Sequence, residues 1–543
     1  MNKKKISAII LAVSLPVIAY FVSEDIRCFR YLLDVSEVRH KQVDSLKMTA
    51  GDRMKDFETV WKVAAEGMPS VYEYTGEFDY DFVSEKEKYQ TAVENAESDI
   101  EFACVMYSML NDIPSVHTGF FFPDYKLITE YSCMGSEMVR TDPYIRDTTE
   151  LWNKEMKHYY RESRAVVFEY TDGKYCYSHE NSESKLPEIN YTVKSVNGES
   201  PDEFILKYLS SSGLGYDEEY GKLYRRSLVF NDSRGEVLTL QLEDANGKIT
   251  DTEVYYDLCD EYMYVNQPYI HGVYEKPDEV YDIEWLDRDS KIVYLRIDDL
   301  DNDKGSELAD KIRKYCSDED VSVILDLRNN GGGTVEYAKD FVYSPLSGKD
   351  VTVNETEYIL KSSGNRDFFR GIYFFMNKNV FGLNRLSSDE AAGVSEALRG
   401  RNVFEYGIET RFTGTNSSSP SLFVLTSDIT ASSADFLVTA LSDGCGAVVI
   451  GENTGGEKTG GQFMAELPES RLVYYYCASV CLNSDGSSNS LYGTAPDIRC
   501  RQSIEGYRKY NQLVSEGKNP KLPETRLLWD DVLIKAVEMA KNN

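Results

Sequence analysis

The spacing of apolar and polar positions changes along the chain, and each change predicts a different kind of element. From Asp34 to about Leu110 the period is helical. Phe57, Val60, Trp61 and Ala64 fall on one stripe, and Ile100, Phe102, Ala103, Val105, Met106 and Leu110 make a second apolar surface. Met68-Pro69 ends the first run, and Tyr80 to Glu87 links it to the second. From about Cys133 to Asp260 the pattern becomes strand-rich. Ala165-Val166-Val167-Phe168, Tyr191 to Val196 and Val237 to Leu242 read as strands, with Asn197-Gly198 and Asn246-Gly247 as hairpin turns. Ile292 to Ile297 then predicts a strand, Leu308, Ile312 and Tyr315 a helix, and Val321 to Leu325 another strand, which together imply a parallel crossover unit. Lys349 to Pro420 is less regular, with an aromatic run from Phe368 to Phe375 and a helix near Ser388 to Leu398; it reads as an insertion or flap. Leu422 to Leu425 and Ala447 to Ile450 are further strands, and a helix near Leu528 to Lys541 closes the chain. The fold class is α/β.

One junction in this pattern carries chemistry. After the Leu422 strand comes Thr430-Ala431-Ser432-Ser433-Ala434-Asp435, and then Phe436, Leu437, Ala440 and Leu441 recur at helical spacing. Ser432 falls where strand turns into helix, beside backbone N–H groups that have no partner within the helix and carry partial positive charge. It is an N-cap or a nucleophile, and the segment alone does not choose. Val321 to Gly333 adds a strand followed by Asn329-Asn330-Gly331-Gly332-Gly333, a loop in which backbone can approach a ligand closely; no Lys-Ser/Thr follows, so it is not a nucleotide cradle. The chain has only 5 His, and His117 sits on a Pro-containing loop just past a helix. Lys458 lies in the Gly-rich stretch Gly455-Gly456-Glu457-Lys458, and a lysine acts as a base only where burial strips its proton.

Charge narrows the partners. A formal net charge of −32 over 543 residues opposes nucleic-acid binding and favours solubility or cationic peptides. Lys3, Lys4 and Lys5 followed by an apolar run from Ile6 to Val22 give the pattern of an export signal. Its length favours an uncleaved membrane anchor, basic end inside and the rest outside, over a cleaved signal and secretion. The 10 Cys show no metal-ligand spacing; Cys477 and Cys481 are expected to share a strand face and to pack rather than bridge.

Together "ILDLRNNGGG", "TASSADF", "VVIGENTGG" and "GTAPD" resemble the C-terminal processing, or tail-specific, serine peptidase family, closest in pattern to the tricorn-core and nisin-resistance-type branch. The resemblance implies a crotonase-like catalytic core, Ser432 as nucleophile, and Gly332, its neighbour Gly333, and Ser433 as backbone donors of an oxyanion hole. In relatives without a lysine base, a His ends the N-terminal helical region, which favours His117 over Lys458; Glu457 stands at the family's lysine position. Asp435 matches an acidic position and either orients the base or favours the helix N-terminus. "VKSVNGESPDEFI" and "GEVLTLQLEDANGK" resemble, weakly, a PDZ-like peptide-binding domain. The expected organisation is an anchor (1–33), a helical subdomain ending in the His loop (34–125), a PDZ-like β-rich domain (126–262) and a peptidase domain (263–543). The expected activity is hydrolysis of peptide or unfolded-protein substrates through an acyl-enzyme, without metal or organic cofactor. Alternatives are a non-catalytic peptide- or ligand-binding protein, or an acyl-CoA enzyme, which export disfavours. No oligomeric state follows.

Overall fold

The structure is a computed structural model that describes residues 46–120 (79 and 114 aside), 144–177 (163 aside), 191–208, 214–258 (226, 233–236 and 256 aside), 280–360 (318–319 aside), 403–458 and 462–542 (521 aside). The N-terminal basic and apolar segment, the aromatic run at 368–375 and the expected helix at 388–398 lie outside the described residues. Among the described residues no helix is long and apolar enough to cross a membrane.

The helical region folds as α1 (Ala50–Gly67), α2 (Ser70–Phe78), α3 (Lys86–Asn95) and α4 (Asp99–Asn111). Thr49 caps α1 through a reciprocal pair with Asp52, and Ser98 caps α4 by accepting from Glu101 N–H. Phe57, Val60, Trp61, Ala64, Phe102, Ala103, Met106 and Leu110 enter one core, so both predicted stripes are real. That core also takes in Trp152 and Met156 of α5 (Ile145–Glu162), which lies where the sequence pattern predicted strands. The buried face of α5 runs Ile145, Thr148, Thr149, Trp152, Met156; two threonines hide its helical period.

The β-rich unit comprises β2 (Arg164–Thr171), β3 (Lys174–Tyr177), β4 (Tyr191–Val196), α6 (Pro201–Lys207), β5 (Leu214–Asp217), β6 (Lys222–Arg225), β7 (Ser227–Asp232), β8 (Val237–Glu243), β9 (Ile249–Tyr255) and β10 (Asp257–Leu258). Its main sheet has the order β10-β2-β3-β4-β8-β9, with β7 also paired to β2. The three strands and both hairpin turns read from sequence are present; Asn197 and Gly198 both take positive φ, at 52° and 84°, as a tight hairpin turn requires.

The C-terminal half is built on a six-stranded sheet, β11 (Tyr281–Asp287), β12 (Ile292–Ile297), β13 (Ser322–Asp326), β16 (Ser421–Thr426), β17 (Val448–Gly451) and β21 (Ile498–Arg499), in that order. All pairs but β11–β12 are parallel. β12, α7 (Gly305–Tyr315) and β13 form the expected crossover, and α8 (Ser433–Cys445) joins β16 to β17. Because strand side chains alternate, Val323, Leu325, Leu422 and Val424 face α7 and α8 on one side, while Ile324, Phe423, Leu425 and Ile450 face α10 (Asp531–Asn542) on the other. α9 (Ile504–Ser515) precedes α10. The stretch read as irregular contains two ten-residue strands, β14 (Val351–Leu360) and β15 (Val403–Phe412), paired antiparallel along their whole length.

Between the halves, β1 (Gly119–Phe120) pairs with β19 (Val473–Cys477), which pairs in turn with β18 (Gln462–Glu466). Beyond Cys477 the chain breaks into β20 (Ser479–Cys481), paired with β14. Cys477 and Cys481, expected on one strand face, therefore sit in different sheets; both are buried and neither is in a disulfide.

Asp56 of α1 fastens the helical region to the β18–β19 turn, accepting from Glu469 N–H (2.9 Å) and Ser470 N–H (2.7 Å). Burial pushes its carboxyl up to about 6, against these hydrogen bonds. A raised folded-state pKa favours folding below the unfolded value near 3.8, and this contribution is lost as pH rises through about 6. Relative to Asp56→Asn, which does not titrate, the wild-type chain should lose on the order of 2–3 kcal/mol between pH 4 and 7. Denaturant midpoints of both proteins across that range measure the difference.

Candidate active site

Parallel strands deliver their C-terminal ends to one edge of the sheet, and three of those ends carry the site. β13 leads into Leu327 to Gly333, β16 into Ser427 to Ser432, and β17 into Glu452 to Lys458.

The first loop is anchored from beneath. Arg328 donates to Asp326 Oδ2 (2.7 Å) and to both carboxylate oxygens of Asp530 (2.8 Å each), while Tyr294 OH donates to Asp326 Oδ2 (2.7 Å). Burial alone would raise the Asp326 carboxyl, but the Arg328 guanidinium prevails and holds it low. The root of the glycine loop is thus tied to the start of α10.

Ser432 stands at the N-cap of α8 with φ 55° and ψ −130°, a conformation an L-residue holds only at a cost of about 1–3 kcal/mol. Its N–H donates to Gly456 O (2.9 Å), and Ala431 N–H donates to Asn330 O (3.1 Å), so the turn is clamped between the other two loops. Its side chain makes no capping hydrogen bond, so the hydroxyl is not spent on the helix terminus. Gly332 lies directly against it. With φ +117°, a Cβ at Gly332 would come 2.7 Å from Ser432 Cβ and 3.2 Å from its Oγ.

One of the three amides expected to face an oxyanion is engaged elsewhere. Gly332 N–H already donates to Asn330 Oδ1 (2.9 Å), forming a turn within the loop, so its amide is taken. Among the described residues Gly333 N–H and Ser433 N–H have no hydrogen-bond partner.

The His loop reaches the same place from the other end of the chain. Asp112, just past α4, is held by Arg225 and by Tyr89 OH, all buried. Ser115 to Thr118 then turns into β1. His117 N–H donates to Glu457 Oε2 (2.7 Å), and His117 Nδ1 lies 3.2 Å from the same oxygen. Thr118 OH donates to Ser115 Oγ (3.0 Å), and the Ser115 hydroxyl bonds to Glu457. Burial pushes the Glu457 carboxyl up to about 7, with the Ser115 and His117 hydrogen bonds working the other way. Glu457 is fully buried and holds φ 54°, a second strained residue within this site.

Glu457 follows Gly456, whose carbonyl caps Ser432 N–H. His117 and Ser432, 315 positions apart in sequence, are therefore joined through one short loop. Gly456 takes φ +78°, and a Cβ there would meet Asn489 O at 2.1 Å. The closing Gly-Thr-Ala-Pro-Asp motif seats this loop, with Thr454 N–H donating to Thr494 O (3.1 Å) and Thr494 N–H to Thr454 Oγ1 (2.7 Å).

The other two candidates belong to a neighbouring polar network. Asp435 Oδ2 accepts from Asn489 Nδ2 (2.8 Å), Asn489 Nδ2 also reaches Asn483 Oδ1 (3.0 Å), and Lys458 Nζ donates to Asn483 Oδ1 (3.1 Å). The carboxylate facing His117 is that of Glu457. In the sequence Glu457 was visible only as the residue displacing a lysine; that its side chain turns inward depends on residues 115–118, which no local pattern connects to it.

Residues 291–500 match the family model described as peptidase family S41. Mature CPAF complexed with lactacystin is similar over 86% of this chain and 98% of its own, at 15% identity and a TM-score of 0.51. Mature CPAF alone covers 86% and 97%, at 15% identity and a TM-score of 0.52. The photosystem II D1 C-terminal processing protease aligns over 84% of this chain and 95% of its own, at 12% identity and a TM-score of 0.35. No curated protein matches the chain. The likeness to CPAF is one of fold. The match of residues 291–500 to peptidase family S41 points to peptidase chemistry in that part of the chain.

Proposed function

We propose that the chain is a serine endopeptidase in which Ser432 attacks a peptide carbonyl, His117 takes the hydroxyl proton and Glu457 holds the imidazole. One observation carries this reading: the Glu457 carboxylate lies against His117 Nδ1 on the loop whose preceding carbonyl caps Ser432. An imidazole that carries its proton on Nδ1, toward this carboxylate, has Nε2 as its acceptor, which is what a hydroxyl proton requires. Gly333 and Ser433 N–H supply the oxyanion donors, and the strained Ser432 backbone keeps Oγ off the helix cap. The acyl-enzyme is then released by water activated by the same imidazole.

This is a Ser-His-Glu version of the tail-specific pattern, similar in its motifs to the tricorn-core branch. In it the β-rich unit acts as a PDZ-like module that takes an extended peptide along a sheet edge. The basic and apolar N-terminal segment anchors the chain in a membrane with the peptidase outside. The pairing of Lys458 with Asn483 and of Asp435 with Asn489 gives each a packing role within the site's wall.

A fluorophosphonate probe tests the reading. The wild-type chain should be labelled at Ser432, Ser432→Ala should take up no label, and His117→Ala and Glu457→Gln should each slow labelling by at least about 100-fold. Labelling that survives His117→Ala but is lost in Lys458→Ala would transfer the base to Lys458.

A further inference from the structure

The thiol of Cys477 has no part in the peptidase reading, yet it lies beside two groups that do. β1 pairs with β19 in the register Gly119 to Tyr475 and Phe120 to Tyr474, so extending the ladder two residues brings His117 opposite Cys477. Cys477 N–H donates to Thr118 Oγ1 (3.3 Å), which ties the two segments at that point. One ligand atom each from His117, Glu457 and Cys477 lies within 4.8 Å of the others, and all three residues are buried. Glu457 Oε1 is buried without a hydrogen-bond partner, and the residue is fully enclosed.

From these positions we infer that His117, Glu457 and Cys477 form a binding site for a zinc-class divalent cation, and that its occupancy switches the peptidase off. The inhibitory half of this rests on the peptidase reading above. One nitrogen, one carboxylate and one sulfur suit a borderline-soft cation and disfavour calcium or magnesium, which take oxygen ligands. Ligand atoms around tetrahedral zinc stand about 3.3–3.8 Å apart, so the cluster needs to close by about one ångström. The cation gives Glu457 Oε1 the partner it lacks. On binding, the Cys477 thiol, which otherwise donates to Ser479 O (3.1 Å), gives up that hydrogen bond and its proton, which passes to solvent, and the thiolate coordinates. A neutral imidazole that donates its Nδ1 lone pair to the metal carries its one proton on Nε2. In that state His117 has no lone pair with which to accept the Ser432 proton, so acylation stops until the cation leaves.

Cobalt(II) reports the site without reference to activity, because a thiolate ligand gives it a charge-transfer absorption. The full chain, stripped with a chelator, should bind one cobalt with that band, and zinc should displace it. Cys477→Ser should abolish the band, whereas Cys481→Ser, whose thiol bonds to Asn489 instead, should retain it. Glu457→Gln should weaken cobalt binding by about 100-fold, which covers the case in which Cys477→Ser folds poorly. Saturating zinc should slow fluorophosphonate labelling of the wild type by at least about 100-fold, reversibly with chelator. Absence of a thiolate band, or a band unchanged in Cys477→Ser, overturns the site. Cobalt binding through Cys477 with a labelling rate unaffected by zinc overturns its inhibitory role. Cobalt binding in a chain that takes up no label even when metal-free leaves the metal site standing and sinks the peptidase reading instead.

Discussion

Peptide hydrolysis by Ser432→Ala should fall by about four to six orders of magnitude, and Ser432→Ala/His117→Ala should fall no further. The reason is cooperative: once the attacking oxygen is gone, a base has no proton to take, so removing it costs nothing more. Residual turnover in both variants would come from binding and from the oxyanion donors Gly333 and Ser433. Steady-state rates on an unfolded protein substrate, measured for both single variants and the double, close the cycle. A double variant whose loss is the product of the two single losses would show that His117 and Ser432 do not act on one proton. If Lys458→Ala were the partner that showed this non-additivity, the base would be Lys458.

Gly332→Ala should cost at least about 10³ in turnover, although it adds a single methyl group far smaller than any catalytic side chain. Its Cβ would stand 2.7 Å from Ser432 Cβ, and its φ of +117° is strained for alanine whatever the space. Either the glycine loop or the serine turn must move, and both are clamped by Asn330 and Gly456. Backbone strain alone should lower global stability by about 1–3 kcal/mol. Gly331→Ala is the control. A Cβ there meets nothing within 4 Å, so its turnover should stay within about tenfold of the wild type. Equal losses in the two variants would mean that loop flexibility, and not contact with Ser432, is what Gly332 supplies.

The sequence made the sheet edge legible and left the carboxylate beside His117 hidden. β13, β16 and β17 are short apolar runs bounded by polar turns, and Ser432 sits at a change of period that can be read without coordinates. His117 was reachable through resemblance and the scarcity of histidine. Glu457 was not, because a Glu in a Gly-rich stretch looks like a solvated loop residue; its burial is created by Ser115 and His117, hundreds of positions upstream. The same holds for α5, where Thr148 and Thr149 take core positions that a hydropathy pattern assigns to the surface. The hairpin of β14 and β15 escaped notice because its strands flank a long insertion and face different neighbours. That the loop amide of Gly332 donates to Asn330 was also beyond the sequence, since only coordinates show the Asn330 side chain folding back onto it.

The pairing of β1 with β19 has a consequence for the timing of synthesis. A ribosome makes His117 early and Ser432 much later, yet the strand that holds the imidazole in register, Val473–Cys477, follows both. A nascent chain halted before that strand carries every reactive group without the brace that aligns them. Under the peptidase reading, a ribosome-arrested chain ending before Val473 should therefore take up no fluorophosphonate label, because its base is not yet held in line.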